Sequence, residues 1–356
     1  MLFSVFICLS FSEEFTDFFS GPTTHIYENV NDQRILLDPM SYFVKDSAFM
    51  YMTSTTYSTI HLFYIYPINL VVLDCVFYTC ISPSHGGAIY FYAAEKGAMA
   101  MKRVCGSNCS TGNNLYGQFF YSYVPTNNNT LIQLVTVEKC ANNPITKYAA
   151  ISIYGGNSTF SELNISKCYT YQYSAMYSVY GLRNSFKYCT IYANSASHSY
   201  CYYAEVETFM NFTNIISNDS PSNYGVVSCH RHYYASDCIY MYNMNTLFYN
   251  PSYSTNLIRG WIKHQSTLNT GNIYTMGVTN TIVETPTIVI NHYSTYGCNP
   301  QAMGQDLSPC QTIPHAPTPF QTIPPDCFIS GSISEMRTLA SLFHLIIITV
   351  LPFFLI

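Results

Sequence analysis

A short block recurs down the middle of this chain, and it constrains the fold more than any other feature. The segments are Phe77-Tyr78-Thr79-Cys80, Gly106-Ser107-Asn108-Cys109, Val137-Glu138-Lys139-Cys140, Ile165-Ser166-Lys167-Cys168, Ile191-Tyr192-Ala193-Asn194, Ile215-Ile216-Ser217-Asn218 and Tyr240-Met241-Tyr242-Asn243. Each ends on Cys or Asn, and the ends fall 29, 31, 28, 26, 24 and 25 residues apart. Five residues before each end stands a mostly apolar or small residue: Cys75, Val104, Val135, Leu163, Cys189, Thr213 and Cys238. After most blocks a small residue leads into a β-rich run, as in Ala149-Ala150-Ile151-Ser152-Ile153 and Gly225-Val226-Val227-Ser228. Such a period is the mark of a repeat architecture. A β-unit of this size cannot bury its inner face alone. Coils stacked about 4.8 Å apart bury a continuous apolar column and satisfy one another's backbone. The pattern therefore predicts an all-β, parallel β-helix of about seven to eight coils. The column Cys80, Cys109, Cys140, Cys168, Asn194, Asn218, Asn243 is expected to lie at an inward turn, where small side chains fit and Asn amides bond along the axis as a ladder.

Pairing a block of the Phe-x-x-Asn shape with Gly-Gly-Ala-Ile resembles the polymorphic membrane proteins, a family of surface β-helices with relatives on protozoan parasites. Gly86, Gly87, Ala88 and Ile89 carry the second motif in full, and Phe77 to Cys80 carries the first with Cys for Asn. The resemblance covers roughly residues 67 to 295, the other coils being degenerate copies. It implies a right-handed parallel β-helix and a role in adhesion or surface display.

The ends read as addresses. Met1 to Leu9 is apolar, and small residues in Ser10-Phe11-Ser12 suit cleavage before Glu13, so residues 1–12 are expected to be a signal peptide, although no basic residue stands at its start. Leu339 to Ile356 has no Asp, Glu, Lys or Arg. As a helix it would span about 27 Å, close to a hydrocarbon core. Residues 338–356 thus read as a transmembrane helix or, with Ser330, Gly331 and Ser332 upstream, as a removable lipid-anchor signal. Between body and membrane, residues 296–337 read as a Pro-rich, Cys-containing stalk, and residues 13–66 as an N-terminal cap with one or two irregular coils. The expected location is the cell surface, with the body extracellular and anchored to the membrane.

Composition agrees with that address. Charged residues make up 9% of the chain, and 34 Tyr help supply the polar surface. With 14 Lys and Arg and a net charge of −5, no basic face is offered to phosphates, which excludes nucleic acid as a partner. In an oxidising compartment some cysteines are expected to pair, Cys298, Cys310 and Cys327 in the stalk above all. The spacings Cys75 to Cys80 and Cys105 to Cys109 do not fit a zinc site. Neither metal nor cofactor is expected.

Glycan acceptor sequons stand at Asn108, Asn128, Asn157, Asn164 and Asn211. A sixth, at Asn218, falls on the inward column and is expected to stay unmodified. Two functions remain open. The first is a non-catalytic surface protein whose tyrosines, such as Tyr171, Tyr173, Tyr177 and Tyr180, meet a host surface, a glycan or another copy. The second is a polysaccharide-acting lyase or hydrolase, which needs converging carboxylates. Asp74, Glu138 and Glu162 occupy roughly similar places in their periods, and His230-Arg231-His232 is the most chemical-looking cluster. Paired aspartates with a Gly-His-Gly segment, the mark of the β-helix pectin hydrolases, do not occur. No catalytic residue is assigned.

Overall fold

In the computed structural model the described residues are 13–278, apart from 21–24, 29, 31–33, 36–40, 113, 126, 142–146, 222–223, 252 and 264–271. They lie within the first of the chain's two units, Met1–Cys298. The expected leader at 1–12, the expected stalk at 296–337 and the expected membrane segment at 338–356 fall outside the described residues. Among the described residues no helix is long and apolar enough to cross a membrane.

The chain winds into a parallel β-solenoid of about eight turns. Every pairing between its strands is parallel, and each strand pairs with its counterpart one turn away. Among the described residues the result is a large sheet of 16 strands, a second of nine and two small ones of two strands each. Side chains alternate along each strand, so one set faces the axis and the other faces out. In Ile89–Ala93 the residues Ile89, Phe91 and Ala93 are fully buried. Like stacks on like along the axis: Ile60, Ile89, Phe120, Ile151, Met176, Tyr202, Val227 and Phe248 share one inward register. Aromatic rings in the core pair the same way, Phe49 on Phe77 at 4.9 Å and Phe160 on Phe186 at 4.3 Å.

Two corners per turn give the coil its section. Each is one residue in the left-handed region, and the two stand five residues apart: Asp46 and Tyr51, Asp74 and Thr79, Arg103 and Asn108, Leu134 and Lys139, Glu162 and Lys167, Tyr188 and Ala193, Phe212 and Ser217, Asp237 and Tyr242. None is glycine, although this conformation costs an L-residue roughly 1–2 kcal/mol. Ladder hydrogen bonds on both sides hold these residues there. Thr79 N–H, for example, donates to the Ser107 carbonyl one turn on, at 2.9 Å. The residue after each corner faces inward. This explains the five-residue spacing of the two columns in the sequence, Cys75 with Cys80 through Cys238 with Asn243.

The N-terminal region carries coils of its own. His25–Glu28 and Tyr42–Lys45 are strands of the large sheet in register with Leu70 to Leu73, so regular coiling begins well before residue 67. A single turn of 3-10 helix, Phe15–Asp17, lies across the flank of the solenoid. Phe15 is buried there against Phe43, Val71, Leu73 and Ala100, the outward residues of three successive coils, with Phe18 and Phe19 beside it. Glu13 pairs with Lys102 and, at 3.2 Å, with Arg103.

Candidate functional site: an aromatic face on the nine-stranded sheet

The predicted inward column is continuous. Backbone register runs from Tyr78 through Ser107, Glu138, Ser166, Tyr192 and Ile216 to Met241, and two residues beyond each stands its Cys or Asn. All seven are at most 3% exposed. The asparagines form a ladder. Asn194 Nδ2 donates to Ile165 O at 2.9 Å, Asn218 Nδ2 to Ile191 O at 2.9 Å and Asn243 Nδ2 to Ile215 O at 2.7 Å. Each Oδ1 accepts the main-chain N–H of the preceding column residue, Cys168, Asn194 or Asn218, at 3.0 Å. The cysteines imitate this in part. The Cys80 thiol reaches Phe49 O at 3.5 Å and the Cys109 thiol Phe77 O at 3.7 Å, the equivalent carbonyls one turn back. Burial pushes the Cys140 and Cys168 thiols up, the latter to about 12. Nine described cysteines are free and buried, and Cys105 is disulfide-bonded. Cys298, Cys310 and Cys327 lie outside the described residues.

The Gly-Gly-Ala-Ile motif forms the entry to the nine-stranded sheet. Gly86 is left-handed, and a Cβ there would meet Ile89 O at 2.0 Å; one on Gly87 would meet Gln118 O at 2.2 Å. Ala88 and Ile89 are fully buried. These four residues are therefore packing residues.

The outer side of that sheet carries a continuous aromatic face, of which the sequence shows only single tyrosines. One outward register runs His61, Tyr90, Tyr121, Ser152, Tyr177, Tyr203, Ser228, Tyr249. Beside it runs Phe63, Tyr92, Tyr123, Tyr154. Because the strands are in register, rings stack on rings: His61 on Tyr90 at 4.6 Å, Tyr90 on Tyr121 at 5.2 Å, Tyr177 on Tyr203 at 5.4 Å and Tyr92 on Tyr123 at 4.6 Å. The two serines would break the stack, and an aromatic side chain from outside the register fills each gap. Tyr116 lies 6.4 Å from Tyr121 and 5.7 Å from Tyr177, across Ser152. His230 lies 5.1 Å from Tyr203 and 6.3 Å from Tyr249, across Ser228.

Stacking has two consequences. The rings are a second packed layer, since Tyr90, Tyr121 and Tyr203 point outward and are still only 8% exposed. Their π-faces are spent on one another, so the face presents ring rims, whose quadrupole is positive, and phenol hydroxyls. Desolvation pushes the Tyr90 phenol up to about 12 and raises Tyr121 and Tyr177 as well, the neighbouring phenols adding to it. At neutral pH these three hydroxyls therefore keep their protons. Desolvation takes His61 down to about 4, so this imidazole is neutral there too. Glu205 accepts from Tyr203 Oη at 2.6 Å.

The other candidates do not converge. Asp74 binds Arg103 through both oxygens at 2.6 and 2.8 Å, and Glu138 takes Lys167 Nζ at 2.8 Å. Asp237 holds Arg259 at 3.0 and 2.8 Å. Each acid is thus neutralised by a cation one turn away. Asp74 and Glu162 sit on the same corner, three turns apart, and Glu138 belongs to another register. The histidine cluster separates as well, because it lies in the bend between the strands Val227–Cys229 and Tyr233–Ser236. His230 joins the aromatic face, while Arg231 donates to Tyr253 Oη at 3.1 Å and His232 contacts Ser254 Oγ at 2.9 Å. Tyr173 joins the face against Tyr200, Tyr171 stacks on His198 at 4.7 Å, and Tyr180 is exposed.

Of the sequons, Asn108, Asn128, Asn157 and Asn211 are half-buried. Asn164 is corrected: it is 2% exposed, between Thr136 and Thr190 in the register, and folding leaves no room there for a glycan. Asn218 is fully buried in the ladder.

Comparison with known proteins leaves this geometry to speak for itself, since no family model, no curated protein and no solved structure matches the chain.

Proposed function

We propose that this solenoid is a non-catalytic surface protein for adhesion, display or structural interaction, and that the aromatic face of its nine-stranded sheet is the contact surface. One observation carries the reading: aromatic rings run unbroken along that face from His61 to Tyr249, held by strand register and completed by Tyr116 and His230. A rigid row of phenols and ring rims, repeating about every 4.8 Å, suits an extended partner that lies along the axis and offers polar groups at intervals, such as a glycan or a polypeptide edge. Preorganisation keeps the ordering cost of such a contact low. Pairing of Asp74, Glu138 and Asp237 with cations supports binding over glycoside cleavage, which needs two free carboxylates close together.

The same proposal places the body outside the cell, with residues 1–12 as leader and 338–356 as membrane segment or anchor signal. Right-handed winding follows the rule for parallel crossovers and accords with the resemblance to the polymorphic membrane proteins. Two measurements test the reading. Antibody against the body should label intact cells; label only after permeabilisation overturns the address. The variant Tyr92→Ser/Tyr123→Ser/Tyr154→Ser, shown to fold by circular dichroism, should bind cells or arrayed glycans at least tenfold more weakly than the unaltered chain, and equal binding would rule out this face.

A further inference from the structure

One corner of the solenoid is held in two different ways. At Asn194, Asn218 and Asn243 the amide ties each turn to the preceding one through two main-chain groups. At Cys80, Cys109, Cys140 and Cys168 the same position carries a thiol, whose contacts are long S–H···O approaches, 3.4 Å from Cys109 to Ser107 O and from Cys168 to Ser166 O. These four occupy four successive turns in one register. Ser110 pairs with Ile81 just beyond the corner and Ser107 with Tyr78 just before it. Neighbouring parallel strands lie about 4.8 Å apart, within the Cα separation a disulfide spans. All four thiols face the same apolar interior, at most 1% exposed and free.

We infer that this column is a covalent staple site, in which Cys80 bonds to Cys109 and Cys140 bonds to Cys168. Two disulfides use all four sulfurs, whereas a central Cys109–Cys140 bond would strand the outer two. The oxidant is a small disulfide of the glutathione class. For each pair, one cysteine thiolate attacks a sulfur of the oxidant and displaces one thiolate of the small molecule. The second cysteine then attacks the mixed disulfide, the protein S–S bond forms, and a second small thiolate leaves. The two protons of the protein thiols end on the two released thiols, and the oxidant's disulfide is reduced as the protein's is made. Burial of the column in the finished coil excludes the oxidant, so the exchange belongs to folding, before the corner closes. The closed bonds would then do along the first half of the corner what the amide ladder does along the second.

The test uses the full chain, unfolded with its thiols reduced, and refolded with either reduced or oxidised glutathione. Peptide mapping after alkylation in denaturant reads the pairs. Oxidative refolding should give linked peptides Cys80–Cys109 and Cys140–Cys168, with a higher thermal midpoint than the reduced product. Oxidant added after reductive refolding should leave all four alkylatable. Because the column already accepts Asn, Cys168→Asn should fold and lose the Cys140–Cys168 peptide alone. Four free thiols after oxidative refolding, or a dominant Cys109–Cys140 bond, would overturn the inference. The outcome is independent of where the protein resides and of whether the aromatic face binds anything.

Discussion

Oδ1 of Asn218 accepts the main-chain N–H of Asn194 at 3.0 Å and its side-chain Nδ2–H at 3.1 Å, while Nδ2 of Asn218 donates to the Ile191 carbonyl on that same earlier turn. The amide thus bridges two coils inside an apolar core. Replacing it strands donors and acceptors that water cannot reach, each costing about 1–3 kcal/mol. Asn218→Ala is therefore expected to lower stability by about 2–4 kcal/mol, read from the denaturant midpoint. A loss well under about 1 kcal/mol would mean that the ladder is incidental to the fold.

The left-handed corners make a prediction of opposite sign at one position. Ala193 has φ 52° at the corner before Asn194. Ala193→Gly relieves the Cβ strain and is expected to be neutral or stabilising by up to about 1 kcal/mol, after the extra entropy that glycine gives the unfolded chain. Ala193→Val puts a branched Cβ into the same strain and should destabilise by about 1–2 kcal/mol. Thermal midpoints of the pair rank the two, and the reverse order would contradict the corner geometry.

Stability should depend on pH at both extremes through the aromatic face. An unfolded His61 takes up its proton near 6.5 and the folded one only near 4, so acid binds the unfolded chain first. Stability from this group is complete above pH 6.5, falls as pH drops toward about 4, and is level below that. His61→Phe should flatten that part of the midpoint-against-pH curve. In alkali, unfolded tyrosines ionise near 10 while Tyr90 and Tyr200 hold their protons to about 12. Stability is lost as pH rises through that window, and Tyr90→Phe should lessen the loss.

Phe15 fills the outward apolar patch of Phe43, Val71, Leu73 and Ala100. Truncating a buried aromatic costs about 3–5 kcal/mol where the surroundings cannot collapse. Here the loss falls on a flank segment, so Phe15→Ala should free that segment and spare the coils. Hydrogen exchange should speed up at Asp17, Phe18 and Phe19 and stay slow at Val71 and Ala100. Uniform acceleration would show instead that the segment is part of the cooperative core.

Much of the coil was legible because its constraints repeat. Column membership, from Cys80 to Asn243, follows from side chains that must be small and stack on their like, and the five-residue offset to Cys75 or Cys238 records the two corners. What stayed hidden is of another kind. Tyr90 and Tyr121 look like ordinary strand residues one position after the inward Ile89 and Phe120, and only register turns them into a stack. Tyr116 and His230 leave no periodic trace, because their places are set by the gaps at Ser152 and Ser228. The flank site of Phe15 is invisible for a similar reason, since Phe43, Val71 and Ala100 come together only across turns.

Between one turn and the next the chain length varies, yet the interval between the two left-handed corners is five in all eight pairs. The slack is taken up by the loops that enter and leave the nine-stranded sheet. From Cys80 to Ile89 is nine residues, from Cys109 to Phe120 eleven, and from Asn243 to Phe248 only five. The solenoid works like a spiral binding whose rings are fixed while its pages differ in size. Residues can be added or removed at the loop edge without moving any side chain off its column. A lineage of such chains is free to change length and surface quickly while keeping its spine, and in doing so it erases the even spacing by which one copy of the repeat would be recognised in another.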